Sequence, residues 1–186
     1  MTRDYDLEEK YEGLIPDAIV FAACAHSGQY RKLNFQPFII HPLRVSEFLL
    51  KHFSHKPNIT ELRIAAILHD TVEDTWVELS DIEKNFGKKI TLLVEQMTKP
   101  EIEDKKERHI AYINSFKNYS DDAKILKLSD IFDNILSAET NEKWKLFFEL
   151  SKDTLNQATL KIPDDKFELL KKEALKIIDE KLKTYD

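Results

Sequence analysis

The sequence predicts an all-α protein, a single bundle of about eight to ten helices with no significant sheet. The 186 residues include only 3 Gly and 6 Pro, which is too little turn chemistry for the many short strands of a sandwich or barrel. Apolar residues instead recur at spacings of three and four over most of the chain, which is the helical period. An apolar fraction of 42% and a charged fraction of 33% are typical of a soluble globular protein. We therefore expect one domain that spans residues 1–186.

Helix-start signals appear in order along the first half of the chain. Pro16 is expected to begin the first helix, because proline is favoured in the first helical turn. A second helix is expected from Pro42, and a third from a cap at Asn58 or Thr60. Each start is followed by apolar residues at helical spacing, so each helix should bury one face.

The middle of the chain predicts two short helices and a charged loop. Ser80 and Glu83 form a capping-box pattern and Gly87 provides a left-handed stop, which together predict a helix over residues 80–86. Another helix follows at once. The charged stretch 99–108 is expected to be a solvated loop that leads into a further helix, and we treat it as a candidate lid.

The C-terminal part of the chain predicts three amphipathic helices. After the polar turn NYSDD, the run AKILKLSDIFDNILS has an apolar face opposite a polar face with Lys127, Asp130 and Asn134. Two more helices are expected within residues 141–184. They pack internally or form a homodimer interface, and the sequence leaves both arrangements open.

Composition limits the cellular compartment and the classes of binding partner that we expect. The single cysteine, Cys24, cannot form an internal disulfide, and the charged start MTRDYDLEEK lacks the apolar run of a secretory signal. No stretch approaches 18 uncharged apolar residues, so we expect no membrane span and a cytoplasmic protein. A net charge of −6 argues against a nucleic-acid-binding protein.

A metal site is predicted at the end of the third helix. His69 and Asp70 are adjacent there, and burying two polar side chains is unfavourable unless a shared partner compensates for their lost hydration. A divalent metal ion would do so, since Mn, Fe, Zn and Ni all accept imidazole and carboxylate ligands. His41, just before a helix-starting proline, and Asp130, in a strongly apolar helix, are the further ligands we expect. A buried ion pair without metal is the alternative reading.

Acidic residues follow these ligands at helical spacing. Glu73 lies four residues after His69, and Asp74 lies four residues after Asp70. Together with Asp130 they would crowd one pocket with carboxylates that repel one another. A bound cation removes this repulsion.

Several motifs resemble, in order, those of the HD-domain phosphohydrolases, and within them the RelA/SpoT hydrolase domain and the stand-alone small alarmone hydrolases. The segments are AHSGQYRK (25–32), PFIIHP (37–42), AAILHDTVEDT (65–75), FGKKITLLVEQMTK (86–99) and KLSDIFDN (127–134). The resemblance runs from about residue 18 to residue 137, and the remaining C-terminal helices carry none of its motifs.

The resemblance implies a function and a set of site residues. The reaction would be hydrolysis of the 3′-pyrophosphate of ppGpp or pppGpp to pyrophosphate and GDP or GTP. The metal would be one divalent ion, usually Mn(II) in this family, held by His41, His69, Asp70 and Asp130. Glu73 and Asp74 would activate or orient the attacking water.

The resemblance also assigns residues to the nucleotide. Arg31 and Lys32 match residues that pack on the guanine and approach the phosphates, Asn134 matches a contact near the ribose, and Ser137 keeps a hydroxyl there. Lys99 and Lys127 are further cations that we expect to offset the acidic pocket for an anionic substrate.

The sequence departs from these motifs on the nucleotide side. Phe38 replaces a tyrosine, Ile131 replaces an arginine and Asp133 replaces a histidine, and the loop RKLNFQP lacks the usual glycine. Two alternatives therefore stay open: a phosphatase for another nucleotide, such as NADPH or a deoxynucleotide, or a nucleotide-binding regulator without turnover.

Other chemically interesting side chains are expected to be structural. His26 is interpreted as a hydrogen-bonding residue rather than a fifth ligand, and His52, His55 and His109 as surface residues. Cys24, among alanines, is interpreted as a buried thiol. The aromatic group Trp144, Phe147 and Phe148 is expected to be core.

Overall fold

A computed structural model describes residues 3–31, 35–139 and 142–185 of the chain. Within these ranges the structure is built from ten α-helices and one short 3₁₀ helix, with an isolated bridge between Tyr30 and Pro37 as its only β pairing. The helices are α1 (Arg3–Ala25), α2 (Ile40–Phe53), α3 (Ile59–Leu68), α4 (Thr71–Asp74), α5 (Leu79–Phe86), α6 (Lys88–Met97), α7 (Lys105–Phe116), α8 (Asp121–Ser137), α9 (Glu142–Gln157), α10 (Asp165–Leu182) and the 3₁₀ segment Lys183–Tyr185. The all-α class is confirmed.

The chain divides into two compact units, Met1–Thr98 and Lys99–Asp186. In the first unit α3 lies at the centre and packs against α1, α2 and α6. Its residues from Leu62 to Leu68 are buried, apart from the half-buried Arg63. A helix that is apolar all round belongs in a core, and it ends at His69, which is also buried.

In the second unit α8 contacts α9 and α10, and α7 contacts α9. Every residue of α8 from Ala123 to Phe132 is buried, including two lysines and one aspartate. Buried charges require polar partners. Lys124 meets this need by donating to the carbonyl oxygens of Lys117 and Thr159, at 3.2 and 2.8 Å. Burial lowers the pKa of Lys124 below its ordinary value, with the nearby Asp121 opposing the shift.

Two expectations about helix starts are wrong. Pro16 lies inside α1, which begins at Arg3. The backbone angle that proline imposes is helical, so the helix continues through it at the cost of one backbone hydrogen bond. The capping box of α5 is formed by Glu78 and Asp81. Ser80 lies within the first turn and cannot act as the cap.

Other signals identified in the sequence are confirmed. Asn58 is the N-cap residue of α3, and Gly87 ends α5 with a φ of 84°, an angle that favours glycine. Ser120, which the sequence patterns had not indicated, caps α8 by accepting a hydrogen bond from the Ala123 amide. Residues 105–116 form the helix expected after the charged stretch, but this helix begins within residues 99–108, which were expected to be loop. No helix in the described ranges is long and apolar enough to cross a membrane.

Candidate metal centre

The first unit brings three of the predicted ligands together. His41 lies in the first turn of α2, and His69 and Asp70 link α3 to α4. The Nε2 atoms of His41 and His69 lie 3.5 and 3.1 Å from the same Asp70 carboxylate oxygen, Oδ2. Both histidines are only 2% exposed. Two buried imidazole nitrogens therefore converge on one oxygen of the half-buried Asp70 carboxylate.

The orientation of His69 shows that this group fits a divalent metal. Its Nδ1 lies 2.7 Å from the Ala66 carbonyl oxygen, which can only accept, so Nδ1 carries the proton and Nε2 presents a lone pair in the neutral ring. Metal-binding histidines are held in this way, with the far ring nitrogen donating to a carbonyl. A lone pair that faces a carboxylate oxygen is unfavourable, and either protonation of the ring or a cation between the two atoms removes the repulsion. A metal ion satisfies this donor set directly.

Glu73 and Asp74 lie one helical turn beyond these ligands. The Asp74 amide donates to the Asp70 carbonyl at 2.9 Å. This bond confirms the i to i+4 relation expected between Asp70 and Asp74. Thr71, fully buried, anchors the start of α4 by donating its hydroxyl to the Leu68 carbonyl at 2.7 Å. The Glu73 side chain is half-buried and that of Asp74 is exposed. Carboxylates in this position can accept a proton from water.

In the second unit Asp130 lies on α8, and neighbouring side chains orient both of its carboxylate oxygens. Lys127 Nζ lies 2.8 Å from Oδ2, and the Asn134 amide donates to Oδ1 at 2.6 Å. Asp130 is 6% exposed and Lys127 8%. Asp130 is therefore a buried carboxylate whose charge is compensated by Lys127.

The residues expected to contact substrate have different surroundings. The Arg31 side chain is 9% exposed, so it is largely buried and not a solvated surface charge. Lys32 lies outside the described residues. Lys99 and Ser137 are half-buried. Lys127 and Asn134 contact Asp130, as described above. The roles of these six residues in substrate binding stay predictions.

Backbone hydrogen bonds connect Arg31 to the described residues Phe35 and Gln36. The Arg31 amide donates to the Gln36 carbonyl at 2.9 Å, and the Phe35 amide donates to the Arg31 carbonyl at 3.1 Å. Phe35 has a φ of 53°, the left-handed conformation that bulky residues adopt only under strain. Its side chain is 81% exposed.

His26 has the hydrogen-bonding role expected from the sequence. Its Nδ1 lies 2.9 Å from Gln29 Oε1, and its ring packs on Phe38 with centroids 4.7 Å apart. Among the described residues its Nε2 has no hydrogen-bond partner. Sequence reasoning missed Gln29, whose amide also contacts Asp74. The sequence did contain an indication of its importance, because Gln29 is one of the residues of the AHSGQYRK segment that match the family motif.

Two of the expected surface or core assignments are wrong. His109 is 8% exposed, and its Nε2 pairs with Asp153 at 2.8 Å, 44 residues along the chain. Cys24 is exposed, because it lies on α1 beside Ala23, away from the buried positions Ala22 and Ala25. Phe148 is fully buried as expected, whereas Trp144 and Phe147 are half-buried.

The His26 environment predicts a pH dependence of stability. Burial lowers the pKa of His26 below 6.5, and the Gln29 hydrogen bond and the charge of Asp70 oppose the shift. Between the folded pKa and 6.5 the unfolded chain binds the proton more tightly, so the stability contribution of this ring falls as pH falls. Urea unfolding at about pH 7.5 and about pH 5.5 should show His26→Gln gaining stability relative to wild type at the lower pH. A pH-independent difference would contradict this.

Known proteins were compared with the chain by sequence and by structure. Residues 18–143 match the family model described as HD domain. The Xenopus tropicalis protein named guanosine-3′,5′-bis(diphosphate) 3′-pyrophosphohydrolase MESH1 is 38% identical over 136 residues, covering 70% of this chain and 74% of that protein. The Homo sapiens protein of the same name is 37% identical over 133 residues, covering 69% and 72%.

A solved structure is also similar to the whole fold. It was described as a metazoan ortholog of SpoT that hydrolyzes ppGpp and plays a role in starvation responses. The TM-score is 0.76 at 27% sequence identity, with 90% of this chain and 96% of that chain covered.

Proposed function

The chain belongs to the HD-domain family, and from this premise we propose that it is a metal-dependent hydrolase that releases pyrophosphate from the 3′ position of ppGpp or pppGpp, leaving GDP or GTP. The observation that carries the proposal is the convergence of two buried imidazole nitrogens on the Asp70 carboxylate, one helical turn from Glu73 and Asp74. We also infer that residues 1–186 form one domain of this family, because the family match runs across the boundary at Thr98.

We propose His41, His69, Asp70 and Asp130 as the ligands of one divalent ion, with Mn(II) as its identity. The orientation of His69 by the Ala66 carbonyl and the paired oxygens of Asp130 support this set. Imidazole with carboxylate suits Mn(II), Fe(II) and Zn(II) alike, so the choice of Mn(II) rests on the family resemblance.

In the proposed mechanism Glu73 and Asp74 orient the attacking water and accept its proton. A bound divalent ion would lower the pKa of the water and offset charge on the phosphoryl oxygens. The water oxygen forms a bond to the phosphorus attached at the 3′ oxygen, and the bond from this phosphorus to the 3′ oxygen breaks. The 3′ oxygen gains a proton, and pyrophosphate leaves. Atoms balance with one water consumed.

The nucleotide contacts proposed for the chain follow its cations and polar groups. Arg31 and Lys32 would contact the base and phosphates, and Lys99 and Lys127 would offset phosphate charge. Asn134 and Ser137 would lie on the ribose side. The ion pair of Lys127 with Asp130 at 2.8 Å supports an additional role for this lysine in orienting the carboxylate.

The proposal is tested by product analysis. Metal-loaded protein incubated with ppGpp should release pyrophosphate and GDP, resolved by ion-exchange chromatography. The absence of both products, with metal bound, would contradict the proposal. A parallel panel with NADPH and deoxynucleoside triphosphates distinguishes a ppGpp hydrolase from a phosphatase for another nucleotide.

One structural observation favours keeping a second nucleotide substrate in that panel. The Phe38 ring, which lacks the expected hydroxyl, lies between the rings of His26 and His41, at centroid distances of 4.7 and 5.9 Å. Ile131, in place of an arginine, is 3% exposed. Turnover of a panel nucleotide well above that of ppGpp would establish the alternative. Tight nucleotide binding without product, unchanged in Glu73→Gln, would establish a regulator.

A further inference from the structure

The side chain of Gln29 connects the turn after α1 to the end of α4. Its Nε2 donates to the Asp74 carbonyl oxygen at 2.8 Å, and its Oε1 lies 2.9 Å from His26 Nδ1. α4 has only four residues, and the last carbonyl groups of a helix have no partner within the helix. Gln29 supplies a donor to one of them, at the residue that carries one of the two proposed water-activating carboxylates.

The Asp74 carbonyl fixes which way the Gln29 amide faces, and His26 completes the link. A carbonyl oxygen can only accept, so the amide nitrogen must face Asp74 and the amide oxygen must face His26. His26 Nδ1 therefore carries the proton that completes the link. The His26 ring is 3% exposed and packs on Phe38, so it cannot easily turn away. A flipped amide would place oxygen against the Asp74 carbonyl oxygen, which is repulsive.

The backbone of Gln29 connects to the helix that carries His41. Its carbonyl accepts a hydrogen bond from the Phe38 amide at 2.9 Å, and the Phe38 carbonyl in turn accepts from the His41 amide at 2.9 Å. Gln29 thus contacts Phe38, two residues before α2, through its main chain and the end of α4 through its side chain. Gln29 therefore joins the segment that leads to His41, a proposed metal ligand, to the segment that carries Glu73 and Asp74, the proposed water-activating pair.

We propose that Gln29 is a positioning residue, hydrogen-bonded to His26, that holds the α4 turn with Glu73 and Asp74 in register with the His41 end of α2. The catalytic part of this inference rests on the proposed function above, in which that carboxylate pair activates the water. Small displacements of a catalytic group reduce turnover far more than they reduce substrate binding.

Steady-state kinetics of Gln29→Leu test the catalytic part. The variant should lower kcat for ppGpp by about tenfold, with KM changed by less than about twofold and metal content unchanged. Gln29→Glu provides an isosteric second variant, because a carboxylate can still accept from His26 but cannot donate to Asp74. Gln157→Leu, the same substitution at the end of α9, is the matched control and should match wild type. Unchanged kcat in both Gln29 variants would overturn the proposal.

Amide hydrogen exchange tests the link without any substrate. Exchange in residues 71–75 should be at least about threefold faster in both Gln29 variants than in wild type, while α3 is unchanged, because the turn opens locally once its donor is lost. If wild-type protein released no pyrophosphate, the proposed function would fail and the exchange result alone would decide the role of Gln29. Unchanged exchange in both variants would overturn the proposal, whatever the activity.

Discussion

Replacing His69 with alanine is expected to remove the metal and, with it, almost all release of pyrophosphate from ppGpp. The His69 ring is held by the Ala66 carbonyl at 2.7 Å so that Nε2 faces Asp70 Oδ2 at 3.1 Å. Loss of one oriented ligand weakens binding steeply, and the metal contributes several kcal/mol to stabilising the transition state. We therefore expect kcat/KM to fall by about 1,000-fold or more.

Elemental analysis of the purified variant, beside an assay with added Mn(II), measures both effects. His55→Ala is the matched control, since His55 is an exposed histidine of the same unit. It should retain wild-type metal content and activity. A His69→Ala protein that binds metal as wild type does would show that His69 is not a ligand.

Replacing Glu73 with glutamine, or Asp74 with asparagine, is also expected to abolish turnover. Unlike His69→Ala, these variants should retain the metal. Both changes keep side-chain shape and remove the negative charge that accepts the proton of water. General-base catalysis typically contributes about 100- to 10,000-fold, so kcat should fall within that range for the residue that acts as the base. The partner carboxylate, acting through orientation, should show a smaller loss.

Metal content and kcat measured on the same preparation separate this role from ligation. Glu95→Gln, at an exposed position on α6, is the control and should leave kcat unchanged. If both site variants lost metal together with activity, Glu73 and Asp74 would be acting as ligands. If both retained full kcat, water activation would lie elsewhere in the chain.

The sequence predicted the parts of the fold and site that depend on local pattern. The helical period and the Gly87 stop depend on neighbouring residues, and the structure has them where expected. The grouping of His41, His69 and Asp70 could be predicted from the sequence for a related reason. Two of these residues are adjacent and the third precedes a recognisable helix start, so few arrangements were open.

The features that were missed depend on contacts between residues far apart in the chain. His109 is buried because Asp153 pairs with it from α9, and nothing near position 109 indicates that partner. Gln29 meets Asp74 across 45 residues. Pro16 could not be placed from its preference for the first turn, because the helix before it is compatible with the angle that proline imposes.

The central claim, a metal-dependent release of pyrophosphate from ppGpp, is tested most directly by titrating metal-free protein with Mn(II) while measuring pyrophosphate. We expect the rate to rise with added metal and to saturate near one ion per chain, with GDP formed in equal amount. A rate of zero at every ratio of metal to protein, or orthophosphate as the product, would contradict it.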